Sequence, residues 1–501
     1  MGYLLGIDIG TSGCKIGLFT ADGTPLFQSA HPYKTIYPDP GYAEQDPEEW
    51  WRAVCHTVRR MLAETGMDGK RIRAIGVDGQ SGSALPVDRA GNPLRHAMIW
   101  FDRRSAKQCE EMRRNVDEEE LFRISGNPVS PSYTTPKMLW MKEKEPELYK
   151  KTFKFLQSNS YIVYKLTGVF THDYSQGNGI HAFDIEKRQW NVAFCEQLGI
   201  RPELLPDLYE CSAVVGEVTA EAAEQTGLPK GIPVVAGGLD AACATLGAGA
   251  VRQGQIQEQG GQAGGMSIVL DRAVKDEKLI LSCHVVPGKW ILQGGTVGGG
   301  SLNWFRREFA CAADDQFYEA VNKEAARIPA GSEGLLFLPY MAGERSPIWD
   351  VHAKGMFLGL DYEKTRGHMA RAIMEGCAYA LWHNLLTAEQ SGVNIGVLHS
   401  VGGAANSELW TQIKADVTGK TFNIPSSDAA TTLGAALIAG VGVGMYRDFD
   451  DAVKQTIRIT RTHEPDEAAH MRYKRLFPLY LETYERLKDL FPRLGEEGMR
   501  R

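Results

Sequence analysis

A chain of 501 residues is too long to fold around one hydrophobic core and predicts two domains, each large enough to bury its own. Apolar residues make up 43% of it and charged residues 23%, with a net charge of −7. That balance excludes a broadly basic nucleic-acid surface and an anionic-membrane surface, while leaving room for a locally basic pocket that takes a phosphorylated ligand. The nine cysteines are scattered and never form CxxC, which argues for reduced thiols in a cytoplasmic protein. Neither a signal peptide nor a membrane-spanning run is expected, because residue 3 already enters a strand and no apolar stretch reaches spanning length.

Residues 3 to 9 are predicted as a buried strand and Lys15 to Phe19 as a second, with Gly10-Thr11-Ser12-Gly13 reversing the chain between them. Glycine lets backbone N–H groups approach a ligand, Thr11 and Ser12 add hydroxyls, and Asp8 is placed to hold magnesium through water. An ordinary glycine-rich hairpin fits the same stretch equally well. After a turn at Ala21 to Pro25 a third strand should follow. A helix is expected from Pro47, with Asp46 as N-cap, Glu48 and Glu49 in its first turn, and Trp50, Trp51 and Val54 facing the core.

Arg71 to Val77 reads as a strand ending in the polar loop Asp78 to Ser83, and Ala97 to Phe101 as another ending in Trp100-Phe101-Asp102-Arg103-Arg104. Strand ends followed by such loops are where α/β proteins bind ligands. A ring, a carboxylate and two guanidiniums suit a polyhydroxylated ligand, or equally a surface salt bridge beside a half-buried tryptophan. Residues 105 to 170 are predicted mostly helical, broken at Gly126-Asn127-Pro128. The segment 171 to 184 reads as a loop whose His172 and His181 lack metal-ligand spacing.

A buried strand at Pro233 to Ala236 leads through two glycines to Asp240 and a helix of small residues. Asp240 is either an N-cap or a catalytic carboxylate presented at a strand end. Residues 256 to 270 repeat the strand, glycine turn, strand pattern of the opening, which suggests a duplicated architecture with a ligand between the halves. The glycine run 294 to 300 is expected to precede a helix, and a strand at Gly334 to Pro339 to lead into YMAGERSP. A strand at Val397 to Val401 should be followed by the turn Gly402 to Asn406. The small residues of a helix from Thr432 to Ala439 would admit another helix or a flat adenine ring. A last helical stretch, Pro465 to Phe491, should kink or divide at Pro478.

Several motifs are absent. Gly419-Lys420-Thr421 lacks the upstream glycine of a Walker A loop, no GxGxxG follows a strand, and neither GxSxG nor HExxH occurs.

Seven segments, DIGTSGCKIGLF (8 to 19), GYAEQDPEEWW (41 to 51), GNPLRHAMIWFDRRS (91 to 105), GGLDAACATLGAG (237 to 249), FLPYMAGERSPIW (337 to 349), VGGAANSELWTQIKADVTGK (401 to 420) and TTLGAALIAG (431 to 440), occur in an order that resembles the FGGY family of carbohydrate kinases across essentially the whole chain. The linker segments look most like xylulokinases. The resemblance implies an α/β fold of two actin-like, ribonuclease-H-like domains of the hexokinase, Hsp70 and actin superfold, each with a five-stranded mixed sheet, flanking a cleft. Residues 1–248 would form the sugar-binding side and 249–501 the nucleotide-binding side.

It further implies ATP and Mg2+ as cofactors, a small sugar as partner, and a homodimer as the common assembly. Carried over by position, Asp8 corresponds to the magnesium-associated aspartate, and Gly10, Thr11, Ser12 and Lys15 to the first phosphate hairpin. Asp240 corresponds to the catalytic base, and Gly261 and Gln262 to the second hairpin. Gly299 and Asn303 fall on the nucleotide side, and Gly403, Ala404 and Asn406 in the adenosine turn. Gln80, Ser81, Trp100, Asp102 and Arg103 fall in the sugar-binding loops. The implied reaction is phosphorylation of a sugar hydroxyl, a pentulose such as D-xylulose leading, with other ketoses, polyols, aldonates and the autoinducer-2 precursor as alternatives and a non-catalytic actin-like sugar sensor as the distant one.

Two departures from the family pattern stand out. Gly261-Gln262-Ala263 lacks a hydroxyl found beside the phosphates, and Ser81-Gly82 replaces Met-His, which should enlarge the sugar pocket. Because phosphoryl transfer has a loose transition state, Asp240 is expected to need no raised pKa.

Overall fold

A computed structural model describes residues 2–261, 263–309 and 316–499. The opening apolar run forms strand Tyr3–Ile9, antiparallel to Gly13–Thr20, which is antiparallel to Pro25–Pro32. On its other side Tyr3–Ile9 runs parallel to Ile72–Gly79, which runs parallel to Pro233–Val235, and Val214–Glu217 closes that edge antiparallel. The short strand Gly238–Leu239 pairs with the far end of Ile72–Gly79.

The second half repeats this plan. Ile256–Gly260 is antiparallel to Ala263–Leu270, and that strand to Trp290–Val297, with Ile280–Cys283 added at the edge. In the other direction Leu398–Val401 and Phe422–Pro425 follow in parallel, and Ile459–His463 antiparallel. Both sheets therefore show the pairing sequence antiparallel, antiparallel, parallel, parallel, antiparallel. The expected duplication is present, with seven strands in each sheet rather than five.

Helix Pro47–Thr65 begins as its cap signals predict: the Asp46 side chain accepts from the Glu48 N–H at 2.9 Å, and Trp50, Trp51 and Val54 are buried. Helix Ala430–Gly442 comes from the second half of the chain but lies against Tyr3–Ile9, Ile72–Gly79 and helix Asp240–Gly247. The approach is backbone to backbone. A Cβ on Gly76 would stand 1.9 Å from the Ala435 carbonyl oxygen, and one on Gly434 the same distance from that of Cys243. The small residues of this helix thus serve packing against a sheet and another helix rather than an adenine ring.

Three other expectations change. The strand expected at 97 to 101 is only Ala97–Met98, because its sole ladder partner is the equally short Glu44–Gln45. Helix Glu467–Leu487 continues through Pro478, held by the buried stripe Tyr473, Phe477, Tyr480 and Tyr484 on both sides of it. His172 and His181 are fully buried, and burial pushes both down to about 4, so they are neutral. Among the described residues no helix is long and apolar enough to cross a membrane, and the described cysteines are free.

Candidate active site

Three neighbouring strand ends bring three carboxyl groups together: Asp240 lines a cleft between the halves, and Asp8 and Asp78 are buried beside it. Asp8 and Asp78 stand side by side in the parallel register of Tyr3–Ile9 and Ile72–Gly79. Gly238 pairs with Asp78 on its other side, so Asp240 follows two residues later as the first residue of its helix. Leu239, not Asp240, occupies the N-cap, and Asp240 Oδ1 accepts from the Ala241 N–H at 2.6 Å. Burial, and then the nearby charge of Asp8, push the Asp240 carboxyl up to about 7. The expectation that this carboxyl needs no raised pKa is therefore corrected: its place on the cleft floor beside another acid disfavours the ionised form.

Lys15 Nζ donates to Asp8 Oδ2 at 2.8 Å, while Asp8 Oδ1 and both oxygens of Asp78 are buried without a hydrogen-bond donor. Burial and the charge of Asp8 hold Asp78 well above the usual carboxylate range. A Cβ on Gly10 would lie 3.5 Å from Asp8 Oδ1, an ordinary contact distance. This donor set, hard oxygens without protons to accept, fits a divalent cation such as magnesium.

The cleft has a volume of about 380 Å³ and is lined by Thr11, Gln80, Ser81, Trp100 and Asp240 from the first half, and by Gln259, Gly264, Gln293 and Arg345 from the second. The Thr11 hydroxyl accepts from Trp100 Nε1 at 3.0 Å and donates to Gln80 Oε1 at 3.3 Å. Gln80 Nε2 donates to Gln45 Oε1, which also accepts from Trp50 Nε1, and Gln45 Nε2 donates to the Thr11 carbonyl. Thr11 was expected to offer its hydroxyl to phosphate; in this structure its one proton goes to Gln80. Ser12 and Lys15 are exposed at the hairpin, whose turn is closed by Gly10 N–H to Gly13 oxygen at 3.1 Å.

On the sugar side Ser81 Oγ donates to Asn178 Oδ1 at 3.3 Å. Arg345 lies over the Trp100 ring, 5.0 Å from its centroid. Asp102 does not reach the cleft. It is fully buried, and its oxygens accept from the Ala43 N–H and the Arg104 guanidinium, because the chain turns after Met98 and sends it behind the wall. Arg103 is exposed at the rim and donates to Ser132 Oγ at 2.8 Å. The pocket is also not enlarged at Ser81-Gly82. Gly82 adopts φ +67°, and a Cβ there would stand 2.4 Å from the Ser132 carbonyl oxygen, so the backbone of residue 132 fills the space. Lys137, wholly buried, ties the two loops by donating to the Gly82 oxygen at 2.5 Å and the Ser132 oxygen at 2.8 Å.

Around the second hairpin the structure brings together Gly261, Gly299 and Ala404. The Gly299 N–H donates to the Gly261 oxygen at 2.6 Å, and a Cβ on Gly260 would stand 2.6 Å from that of Ala404. Gly403, Asn406 and Asn303 are exposed nearby in the chain, and the Tyr318 hydroxyl donates to Asn303 Oδ1. Gln262 lies outside the described residues. Beneath the hairpin Lys414 and Glu258 form a buried ion pair at 2.8 Å, and Ser400 donates to the same carboxylate.

Gln45, Asp78, Lys137, Arg345, Glu258 and Lys414 were not singled out from the sequence. Arg345 and Asp78 each carried a local signal, a place in a polar segment after a strand; Gln45, Lys137, Glu258 and Lys414 act through partners distant in sequence.

Comparison with known proteins agrees with this geometry. The family model for the FGGY family of carbohydrate kinases, N-terminal domain, matches residues 3–247, and that for the C-terminal domain matches residues 272–443. Xylulose kinase of Bacillus subtilis (strain 168) is 32% identical over 493 residues, covering 98% of both chains. Gluconokinase of the same strain is 30% identical over 504 residues, covering 99% of this chain and 98% of that one. The crystal structure of xylulose kinase from Rhodospirillum rubrum superposes with a TM-score of 0.89 at 30% identity, over 98% of this chain and 99% of that one. With two matching domains in order and relatives spanning its length, the chain belongs to the FGGY family of carbohydrate kinases and is a sugar kinase of the actin-like ATPase fold.

Proposed function

We propose that the protein transfers the γ-phosphoryl group of ATP to a hydroxyl of a sugar held in the cleft. The observation that carries the reading is the Asp240 carboxyl, raised to about 7 where the sugar loops and the second hairpin meet. A base in that range is substantially ionised at neutral pH yet basic enough to take a proton. Asp240 accepts the hydroxyl proton as the sugar oxygen bonds to the γ-phosphorus; the bond from that phosphorus to the β–γ bridging oxygen breaks, and ADP leaves. Little nucleophile activation is needed, so positioning and electrostatics provide most of the rate.

The Gly10–Gly13 turn, with Ser12 and Lys15, and Gly261 serve the phosphates, and Gly299, Asn303, Gly403, Ala404 and Asn406 the nucleoside. Gln80, Ser81 and Trp100 bound the sugar. Asp8 would hold magnesium, which when bound supplies positive charge against the nucleotide phosphates. Reduced cysteines and a need for ATP suit the cytoplasm.

D-xylulose, giving D-xylulose 5-phosphate, is the leading substrate because relatives named for it align with the whole chain; gluconate follows, since a gluconokinase is nearly as similar. Coupled ADP release against pentuloses, hexuloses, polyols and aldonates tests both levels of the reading. We expect sugar-dependent release that Asp240→Ala abolishes while ADP binding persists. Release as fast without sugar, or near-normal turnover in Asp240→Ala, would sink it. Nucleotide binding without turnover on the whole panel would favour a non-catalytic sensor.

A further inference from the structure

Asp78 is the one acid beside Asp8 and Asp240 for which the phosphoryl-transfer scheme has no task. It is fully buried between Asp8 and the strand that leads to Asp240, and neither of its oxygens meets a hydrogen-bond donor. Asp8 Oδ1 beside it is likewise buried and without a donor, although Asp8 Oδ2 has Lys15. Lys15 is the cation that Asp8 and Asp78 share, while Asp240 also feels the Arg345 guanidinium. The remaining titratable neighbours of Asp78 are the thiols of Cys14 and Cys243, which burial holds well above their ordinary range, so they stay neutral.

Burying an acid without a donor next to another acid destabilises a fold, and a small neutral side chain would pack at the same strand position without that cost. Magnesium characteristically takes one or two carboxylates together with substrate phosphates and waters.

We propose that Asp78 is the second carboxylate, beside Asp8, of a buried divalent-cation site next to Asp240. The proposal rests on the kinase reading above, and its test reads metal and nucleotide binding separately. Mn2+ serves as probe, followed by electron paramagnetic resonance in the presence of ADP, with ADP binding in the absence of metal measured by calorimetry. In Asp78→Asn and the smaller Asp78→Ser, Mn2+ affinity should fall about tenfold or more, as replacement of groups that hold or orient a metal does, while metal-free ADP binding stays at the parent level.

A merely structural acid would not produce the accompanying signature in thermal melts. Without metal the Asp78→Asn chain should melt higher than the parent, since the cost of burying an acid there is gone, and the rise brought by Mn2+ and ADP should shrink. Unchanged Mn2+ affinity in both variants overturns the proposal, as does a lower metal-free melting temperature with an unchanged Mn2+ increment. A parent chain that binds ADP but no Mn2+ refutes the metal site and leaves the kinase reading standing; one that binds no nucleotide refutes both.

Discussion

The two glycine hairpins occupy equivalent places in equivalent sheets, yet they are supported in opposite ways. Behind the first stand Asp8 and Asp78, and its Thr11 hydroxyl is tied to Trp100 and Gln80. Behind the second stands the closed Glu258–Lys414 pair, and its rim is backbone and small residues, Gly261, Gly299 and Ala404. The first hairpin therefore joins the sugar loops to the acidic floor, whereas the second offers a neutral, preformed backbone surface. The same local motif has been given two different tasks by residues far away in the sequence.

Four experiments would break or sharpen that contrast. The largest effect belongs to Asp240→Asn, which should lower kcat by about 10²–10⁴-fold in coupled assays while leaving ADP binding intact. Next, Lys414→Met leaves Glu258 buried without its counter-charge and should cost about 3–5 kcal/mol of stability, read from denaturant melts, with recovery in the double variant carrying Glu258→Met. If that variant altered sugar affinity but not nucleotide affinity, the assignment of the second hairpin to nucleotide would be wrong.

The third is the pH profile. As the proposed base Asp240 must be ionised to act, so kcat should fall about tenfold per unit below its apparent pKa near 7. The sign for stability is opposite: the raised carboxyl contributes stability that is complete below its ordinary 3.8 and lost as pH climbs through 7. Asp240→Asn should accordingly melt above the parent at pH 8. The smallest effect is Thr11→Val, which strips the hydrogen bonds to Gln80 and Trp100 and should raise the sugar KM by about tenfold with little change in that for ATP. A change in the ATP value alone would return Thr11 to the phosphates.

Features written locally were legible in the sequence: the cap Asp46 and the helix after it, the turn at Gly10 to Gly13, and the duplicated hairpins. Asp240 was recognisable because strand, glycines and helix follow one another without interruption. Asp78 was not, since the sequence places it in a loop. The strand runs on through it because Tyr3–Ile9 and Gly238–Leu239 offer pairing on both sides. Trp100 and Asp102 look alike as strand-end residues, but the chain turns after Met98 and sends one into the cleft and the other behind it. Lys137 gave no signal because its partners are two carbonyl oxygens, and a carbonyl leaves no mark on residue identity. Pro478 misled for the converse reason: one missing N–H is outweighed by a buried aromatic stripe that spans it.

The helix Ala430–Gly442 makes the halves unequal as folding units. It covers the sheet of the first half and touches that sheet and helix Asp240–Gly247 through bare backbone at Gly76 and Gly434. A gene cut after codon 248 would yield an N-terminal fragment with the apolar face of its sheet uncovered, prone to aggregate when made alone. Co-production with the remainder of the chain should return it to solution by fragment complementation, and adding a methyl group at Gly434 should abolish that rescue.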